Sequence, residues 1–274
     1  MNDTTASKAT RVLGAVTLAG IGLLVLFGLV ISGPDGASVG VDANGAPTGQ
    51  GEVVRIMYMH VPTALIAFLA FFVTVAGSVG YLLRRSEWWD LVAHASAELG
   101  AVLLFATLVT GALWGEPTWG TYWEWQDARL TTTAVLFFLV LGYLAVRRLP
   151  LERGRRSRLA AVVGLLLGPA TIVCHYATTW WRTLHQGPTI SRLDPQIEGT
   201  MLFSLMLGMG VFMALYAWLM LHRFRVLWLE NRVEDLGLDL ALAERRAEAG
   251  ASGASTTGPS PTPATGPTPT GAAS

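Results

Sequence analysis

Large aromatic residues are concentrated in the segment 114–133, which reads WGEPTWGTYWEWQDARLTTT. Five of them fall within a dozen positions: Trp114, Trp119, Tyr122, Trp123 and Trp125. An interfacial aromatic belt, common at the headgroup level of membrane proteins, explains one or two such residues. Five aromatics beside Asp127 and Arg129 are also typical of a platform for a flat amphipathic ligand, whose apolar ring stacks on indoles while a charged edge meets arginine. Aromatic density alone leaves both interpretations open.

Two histidines add a chemical constraint. His60 lies in RIMYMHVPTA and His185 in WWRTLHQGPTI. A lone histidine near a membrane interface is usually a hydrogen-bonded structural residue. Two histidines on different elements, at the same depth as an aromatic platform, fit paired axial ligation of a haem iron through imidazole nitrogen. We therefore predict that His60 and His185 are iron ligands and that the flat ligand is a haem.

The other three histidines have structural interpretations. His222 follows the last apolar segment and is expected to be interfacial. His175 lies within the fifth segment, where packing or a local hydrogen bond is favoured over ligation, although it remains the main rival ligand. His94 and Glu98 lie four residues apart on one helix face. They are interpreted equally well as an intramembrane functional site and as a pair that neutralises itself.

Several kinds of chemistry are excluded by the motifs. The sequence has no P-loop or GxGxxG for nucleotides, no HExxH or Cys/His cluster for zinc, and no GxSxG for a serine nucleophile. The single cysteine, Cys174, lies in an apolar run and is predicted to be a small buried hydrophobe. We predict no catalytic residues and therefore a binding protein, not an enzyme. Nucleic acid is not an expected partner.

Composition and hydropathy indicate an all-α integral membrane protein. Of 274 residues, 52% are hydrophobic and only 14% are charged, and the mean hydropathy is +0.46. Six apolar segments can cross about 30 Å of hydrocarbon as helices. They span roughly residues 12–34, 56–83, 91–115, 130–146, 159–181 and 199–221. The predicted fold is a bundle of six transmembrane helices with a functional surface of outer loops.

Arginine distribution predicts the orientation of these helices. The loops 84–90 and 147–158 share one face and hold eight arginines, whereas the opposite face holds four. The positive-inside rule places both termini in the cytoplasm of a bacterium and the loops 35–55, 116–129 and 182–198 outside its inner membrane. The aromatic segment, His60 and His185 then share the outer side.

The chain divides into four predicted regions. Residues 1–11 form a cytoplasmic N-terminus and 12–222 form the six-span domain. Residues 223–249 form a charged cytoplasmic tail with helical potential. The tract 250–274 contains only small residues, proline and threonine, and cannot bury enough apolar surface to become ordered.

Several short strings together resemble a known family. They are WGTYWEW and DARLT at 119–131, MYMHVP around His60 and TLHQG at 183–187. These strings resemble the WWD-motif family of haem-handling membrane proteins, and within it the CcmC family of cytochrome c maturation. The resemblance extends from the first to the sixth apolar segment.

The resemblance implies a set of haem-binding residues. His60 and His185 match the two external histidines that bind the haem iron in this family. The haem-facing WWD motif is matched by Trp119, Gly120, Trp123, Trp125, Asp127 and Arg129. Gln126 departs from the family pattern, which places the aspartate directly after the last tryptophan. In a helix, this extra residue would rotate Asp127 by about 100°.

The resemblance also implies partners. Haem b would be a transported ligand, held in the outer loops and delivered to the small haem chaperone CcmE, with CcmA and CcmB as the ATPase pair and CcmD as a small membrane partner. Membrane lipid surrounds the bundle. The alternatives are a cytochrome c synthetase-type haem lyase of the same family and a cytochrome b-like electron-transfer subunit, which would hold its ligands deeper in facing helices. A secondary transporter is the least favoured class, although Pro62 and Pro169 could break helices.

Overall fold

The computed structural model describes residues 7–35, 50–185, 199–255 and 266. Residues through Leu227 belong to one compact unit and Trp228–Ser274 to another. Apart from one β-bridge between Asp35 and Gly51, all regular structure in these described ranges is helical, so the all-α prediction is confirmed. Parts of the predicted outer loops 35–55 and 182–198, and most of the tract 250–274, lie outside the described residues.

Seven α-helices are present in the described ranges, with bounds as follows: α1 (Lys8–Val25), α2 (Met57–Arg84), α3 (Glu87–Trp119), α4 (Ala128–Val146), α5 (Arg153–Leu165), α6 (Leu167–Trp180) and α7 (Gly199–Ser255). A π-helical turn, Leu26–Ile31, extends α1, and a 3-10 turn, Glu52–Ile56, precedes α2. Six stretches are long and apolar enough to cross a membrane: Lys8–Ile31, Glu52–Arg84, Glu87–Trp119, Ala128–Val146, Arg153–Trp180 and Gly199–Ala249. The prediction of six spans is therefore confirmed.

Small residues allow α2 and α3 to pack closely. A Cβ atom added at Gly77 would lie 2.9 Å from the Cβ of Ala93, and one added at Gly100 would lie 2.7 Å from the ring of Phe71. Because lipid tails are as apolar as the helices, close packing and interhelical hydrogen bonds are the main forces available to hold such a pair together. Thr107 Oγ1 supplies one of these bonds by donating to Thr63 Oγ1 at 3.1 Å.

The fifth span is made of two helices. α5 ends at Leu165 and α6 begins at Leu167, with Pro169 in its first turn. Proline has no N–H, and its ring clashes with the carbonyl of the residue four positions earlier. Pro169 therefore explains the interruption near Leu165, and the two short helices together have the length of one span.

The third span extends further than the hydropathy pattern predicts. α3 ends at Trp119, one turn beyond the predicted boundary near residue 115, so Trp114 and Trp119 are helical and do not lie in a loop. The helix stops because Gly120 adopts a left-handed conformation, with φ of 74°, and its N–H donates to the Glu116 carbonyl at 2.8 Å. This is a common way to end a helix, and it favours glycine.

A buried charged cluster connects three helices at the arginine-rich end of the bundle. The two terminal guanidinium nitrogens of Arg147, the residue after α4, donate to the carboxylate of Asp90 on α3. Ser157 of α5 donates to Asp90 Oδ2 at 2.8 Å. The Arg147 and Asp90 side chains are only 7% and 11% exposed. Such a pair is bidentate and fixes the relative positions of the helix ends.

We expect Asp90→Ala to destabilise the protein strongly. The substitution leaves the Arg147 guanidinium buried without its counter-charge, which typically costs about 3 to 5 kcal/mol. Glu52→Ala is the control, since the Glu52–Arg55 pair has a glutamate side chain that is 67% exposed; an exposed pair contributes less than about 1 kcal/mol. Denaturant unfolding of both variants in detergent measures the difference, and equal small losses would contradict this role of Asp90.

Candidate functional site

A small cavity lies among α2, α3, α4 and the segment that follows α6. Its volume is about 50 Å³. The residues that line it are His60, Ala64, Phe68, Leu104, Thr107, Leu108, Gly111, Trp123, Arg129, Leu130, Thr133 and His185. The structure thus brings four of the predicted site residues to one cavity, namely the two histidines, Trp123 and Arg129.

His60 lies in the first turn of α2 and is held by α3. Its Nδ1 is 3.0 Å from Thr110 Oγ1. Its ring packs edge-on against Trp114, with ring centroids 5.6 Å apart. A Cβ added at Gly111 would lie 2.9 Å from His60 Cε1, so a glycine is needed for α3 to approach the ring this closely. Trp114 therefore supports His60 but does not line the cavity.

His185 lies five residues beyond the end of α6 and packs against Trp119, with ring centroids 4.8 Å apart. The nearest carboxylate oxygen, Asp127 Oδ1, is 3.9 Å from His185 Nδ1, too far for a hydrogen bond. Within the described chain this buried nitrogen has no hydrogen-bond partner. Burial and the positive charge of Arg129 lower the pKa of His185 to about 4, against the opposing effect of Asp127. The ring is therefore neutral near pH 7, the form in which imidazole binds metals.

Asp127 connects the aromatic segment to the segment that carries His185. It is the N-cap residue of α4, where its Oδ1 accepts from the Leu130 N–H at 2.9 Å. Its Oδ2 accepts from the Leu184 N–H at 2.6 Å. The backbone between Gly120 and Asp127 is not helical, so the 100° rotation expected from Gln126 in a helix does not apply. Asp127 is 4% exposed and acts as a structural connector.

Arg129 lies in the first turn of α4 and faces the cavity. Its NH1 group donates to the carbonyls of Cys174 and His175, at 3.1 and 2.9 Å. Its guanidinium carbon is 5.8 Å from the centroid of the Phe68 ring, within cation–π range. Arg129 therefore ties α4 to α6 and places a positive charge beside both site histidines.

The other residues of the WWD motif differ in exposure. Trp123 lines the cavity, and its buried Nε1 has no hydrogen-bond partner within the described residues. Trp125 packs against Trp123, with centroids 5.3 Å apart, but is 69% exposed. Tyr122 is 60% exposed. Gly120 ends α3 in a left-handed conformation and does not line the cavity, so the role that the structure gives it is in the backbone.

The remaining histidines lie outside the cavity. His175 is exposed and packs edge-on against Phe68 and Tyr176. His222 packs edge-on against Trp218, one turn earlier on α7. Both rings pack against aromatic side chains, which agrees with the packing interpretation of His175; the interfacial position expected for His222 stays a prediction.

Glu98, which lies four residues after His94 on α3, pairs with an arginine. Arg223 Nε and NH2 of α7 donate to its carboxylate at 2.5 and 2.9 Å. His94 Nε2 is 3.5 Å from Glu98 Oε1. The main cation beside Glu98 is therefore Arg223 and not His94, and an intramembrane functional role for this cluster stays a hypothesis.

Eight residues that line the cavity were not singled out from the sequence: Ala64, Phe68, Leu104, Thr107, Leu108, Gly111, Leu130 and Thr133. Thr110, which contacts His60 but does not line the cavity, was not singled out either. Ala64 and Phe68 follow His60 at spacings of four and eight residues, and Thr110 precedes Trp114 by four. Residues at such spacings share one face of a helix. The helical spacing of these residues from His60 and Trp114 was therefore visible in the sequence. It identifies them as site residues only once the helix that each face contacts is known.

Comparison with known proteins gives concordant matches. The family model described as "CcmC: Heme exporter protein C" matches residues 6–238. A heme exporter protein C of Haemophilus influenzae is 35% identical over 220 residues, covering 80% of this chain and 84% of the relative. The protein of the same name from Bradyrhizobium diazoefficiens is 36% identical over 208 residues, covering 76% of this chain and 78% of the relative.

A third heme exporter protein C, from Escherichia coli K12, is 38% identical over 187 residues, which are 67% of this chain and 74% of the relative. The family match covers most of the sequence, including both histidines and the whole aromatic segment. This chain therefore belongs to the CcmC family, the heme exporter protein C family.

Proposed function

We propose that this chain binds haem on the outer side of the bacterial inner membrane and delivers it for cytochrome c maturation. The observation that carries the proposal is that His60 and His185, from separate elements, line one cavity together with Trp123 and Arg129. The names of the relatives as heme exporters support the same ligand. The role is one of binding and delivery, without a catalysed reaction.

The composition of the site favours haem over a free metal ion. In the described ranges, no group of three or more His, Cys, Asp or Glu residues is placed to hold an ion. Two imidazoles are too few for the three or four protein ligands that a zinc site usually needs. They are sufficient for a haem iron, because the porphyrin supplies four nitrogen donors in its plane and the protein adds the axial ligands.

The cavity walls also suit a porphyrin. The aromatic rings of Phe68 and Trp123 provide apolar faces, and Arg129 provides a positive charge for an acidic edge. The unpartnered nitrogens Trp123 Nε1 and His185 Nδ1 remain to be satisfied. Buried polar groups without partners are rare in stable structures, so these two are candidates for contacts made on ligand binding.

Ligand entry requires the site to open. A volume of about 50 Å³ is far below the roughly 300 to 1,000 Å³ of ordinary small-molecule pockets. His185 lies on a non-helical segment, whereas His60 is on α2. We therefore propose that the segment 181–185 moves away from α2 to admit the porphyrin between the two imidazoles.

The delivery role implies the partners of this family. In our proposal, haem b is a transported ligand that passes to the chaperone CcmE, while CcmA and CcmB supply the ATPase activity for which this sequence has no P-loop. CcmD completes the membrane complex. The site lies at the end of the bundle opposite the arginine-rich loops. Under the positive-inside rule the arginine-rich end is cytoplasmic, so the end with the site would face the outside.

We expect both termini to be cytoplasmic. A phosphatase reporter, active only outside the cytoplasm, should be active when inserted at residues 120–126 and inactive when fused after residue 249. The reason is that eight arginines in the loops 84–90 and 147–158 oppose translocation of that face. The reverse pattern of activity would contradict the orientation.

We expect Trp123→Ala to reduce bound haem per protein more than Trp125→Ala. Trp123 lines the cavity, whereas Trp125 packs against Trp123, does not line the cavity and is 69% exposed. An aromatic contact contributes about 0.5 to 1.5 kcal/mol beyond area burial, so haem affinity should fall roughly two- to tenfold or more. The measurement is haem titration of purified protein.

Trp180→Ala provides the control for this comparison. Trp180 is 54% exposed, stacks on Tyr176 and does not line the cavity. If it lowers haem affinity as much as Trp123→Ala, the tryptophans act as a membrane belt and not as a haem platform.

We expect His60→Ala and His185→Ala each to alter the haem absorbance spectrum and block transfer, because each removes one axial nitrogen. Added imidazole should partly restore the spectrum of both variants. His222→Ala is the control, since its ring packs on Trp218 away from the cavity. If imidazole restores the spectrum of His175→Ala but not that of His185→Ala, the assignment of His185 as a ligand is wrong.

A further inference from the structure

We infer that Thr110 holds His60 in the tautomer with its proton on Nδ1, which makes Nε2 the nitrogen offered to the haem iron. The inference rests on the proposed function, since it assumes that His60 is an axial ligand. It assigns Thr110 as a positioning residue that acts on haem only through His60.

The direction of the Thr110 hydrogen bond follows from its neighbours. Its Oγ1 lies 2.7 Å from the Ala106 carbonyl oxygen and 3.2 Å from that of Thr107. Carbonyl oxygens can only accept, and a hydroxyl has one proton. If that proton pointed to the histidine, the lone pairs of Oγ1 would face two carbonyl oxygens. The proton therefore goes to the carbonyls, as is usual for threonine within a helix.

The histidine must then be the donor in its contact with Thr110. His60 Nδ1 lies 3.0 Å from Thr110 Oγ1, a normal hydrogen-bond distance. Because Oγ1 has already donated its proton, it can only accept from the ring. A neutral imidazole has one N–H, so placing it on Nδ1 leaves the lone pair on Nε2. The lone pair is the group that binds a metal.

Two further contacts from α3 limit the rotation of the ring. Gly111 allows α3 to lie close to the imidazole, because a Cβ added at this position would be only 2.9 Å from His60 Cε1. The Trp114 indole meets the ring at an interplanar angle of 78°. Together with Thr110, these contacts hold the imidazole from α3 before any ligand binds. Metal-binding histidines commonly donate their second N–H in this way, which fixes ring orientation and raises donor strength.

Replacement of the histidine by a free azole tests the hydrogen bond directly. In haem-loaded, full-length His60→Gly protein, imidazole and 1-methylimidazole can both bind iron, but only imidazole retains an N–H for Thr110. We expect imidazole to bind about three- to tenfold more tightly, the range expected for one buried hydrogen bond. The dissociation constants are read from the change in the haem absorbance spectrum.

Three double variants identify the acceptor. His60→Gly with Thr110→Val should bind the two azoles with equal affinity, whereas Thr110→Ser, which keeps a hydroxyl, should retain the preference. Thr74→Val is the control, because Thr74 is also buried and donates to a carbonyl four residues earlier, at 2.9 Å, but is remote from the ring. It should retain the full preference.

The outcomes distinguish an error in the role of Thr110 from an error in the assignment of His60 as a haem ligand. Equal binding of both azoles with Thr110 intact, or a preference that survives Thr110→Val, overturns the role of Thr110 while His60 remains a ligand. If neither azole changes the spectrum of His60→Gly, His60 is not a ligand, and the proposed function fails at this residue. Loss of the preference in Thr110→Val alone supports the inference.

Discussion

The buried carboxylate of Asp127 is the contact on which the candidate site depends. One of its oxygens caps α4 and the other accepts from the backbone N–H of Leu184. These two bonds fix the position of the segment that carries His185 relative to α4, the helix that carries Arg129. Asp127 is only 4% exposed, and backbone N–H groups satisfy its two oxygens in place of water. Without this connector, nothing in the local sequence would hold His185 beside α4.

Two arginines on the same side of the bundle as Asp127 also connect helices through backbone carbonyls. Arg55 donates to the carbonyls of Gly28, Leu29 and Ser32, at 3.1, 2.9 and 2.6 Å, where the π-helical turn after α1 ends. Arg129 donates to carbonyls in the last two turns of α6. The guanidinium group of Arg55 thus meets the carbonyl end of a helix, where cations are stabilised, whereas that of Arg129 connects α4 to the side of α6. These bonds give Arg55 and Arg129 a structural role, and they also bring the charge of Arg129 to the cavity.

The sequence predicts the spans well because hydropathy reports depth in the membrane directly, and all six are present. It predicts which residues approach the outer end, but not how each helix is rotated about its axis. Trp123 and Trp125 are separated by a single residue in the sequence, yet the first lines the cavity and the second is 69% exposed. The loop between Gly120 and Asp127 has no periodicity from which this difference could be deduced. The role of Thr110 depends on the approach of α2, which no local pattern encodes.

The two histidines are held in different ways, and the difference is suited to a protein that must release its ligand. His60 is on a helix and contacts Thr110, Gly111 and Trp114 of α3. His185 is on a non-helical segment, with the tilted indole of Trp119 at a centroid distance of 4.8 Å and an Nδ1 that lacks a hydrogen bond within the described chain. Moving His60 would disturb the pairing of two spans, whereas moving His185 mainly breaks the Asp127–Leu184 hydrogen bond and one ring contact. Under the proposed function, opening therefore occurs on the His185 side, and haem leaves through that side while His60 stays in place.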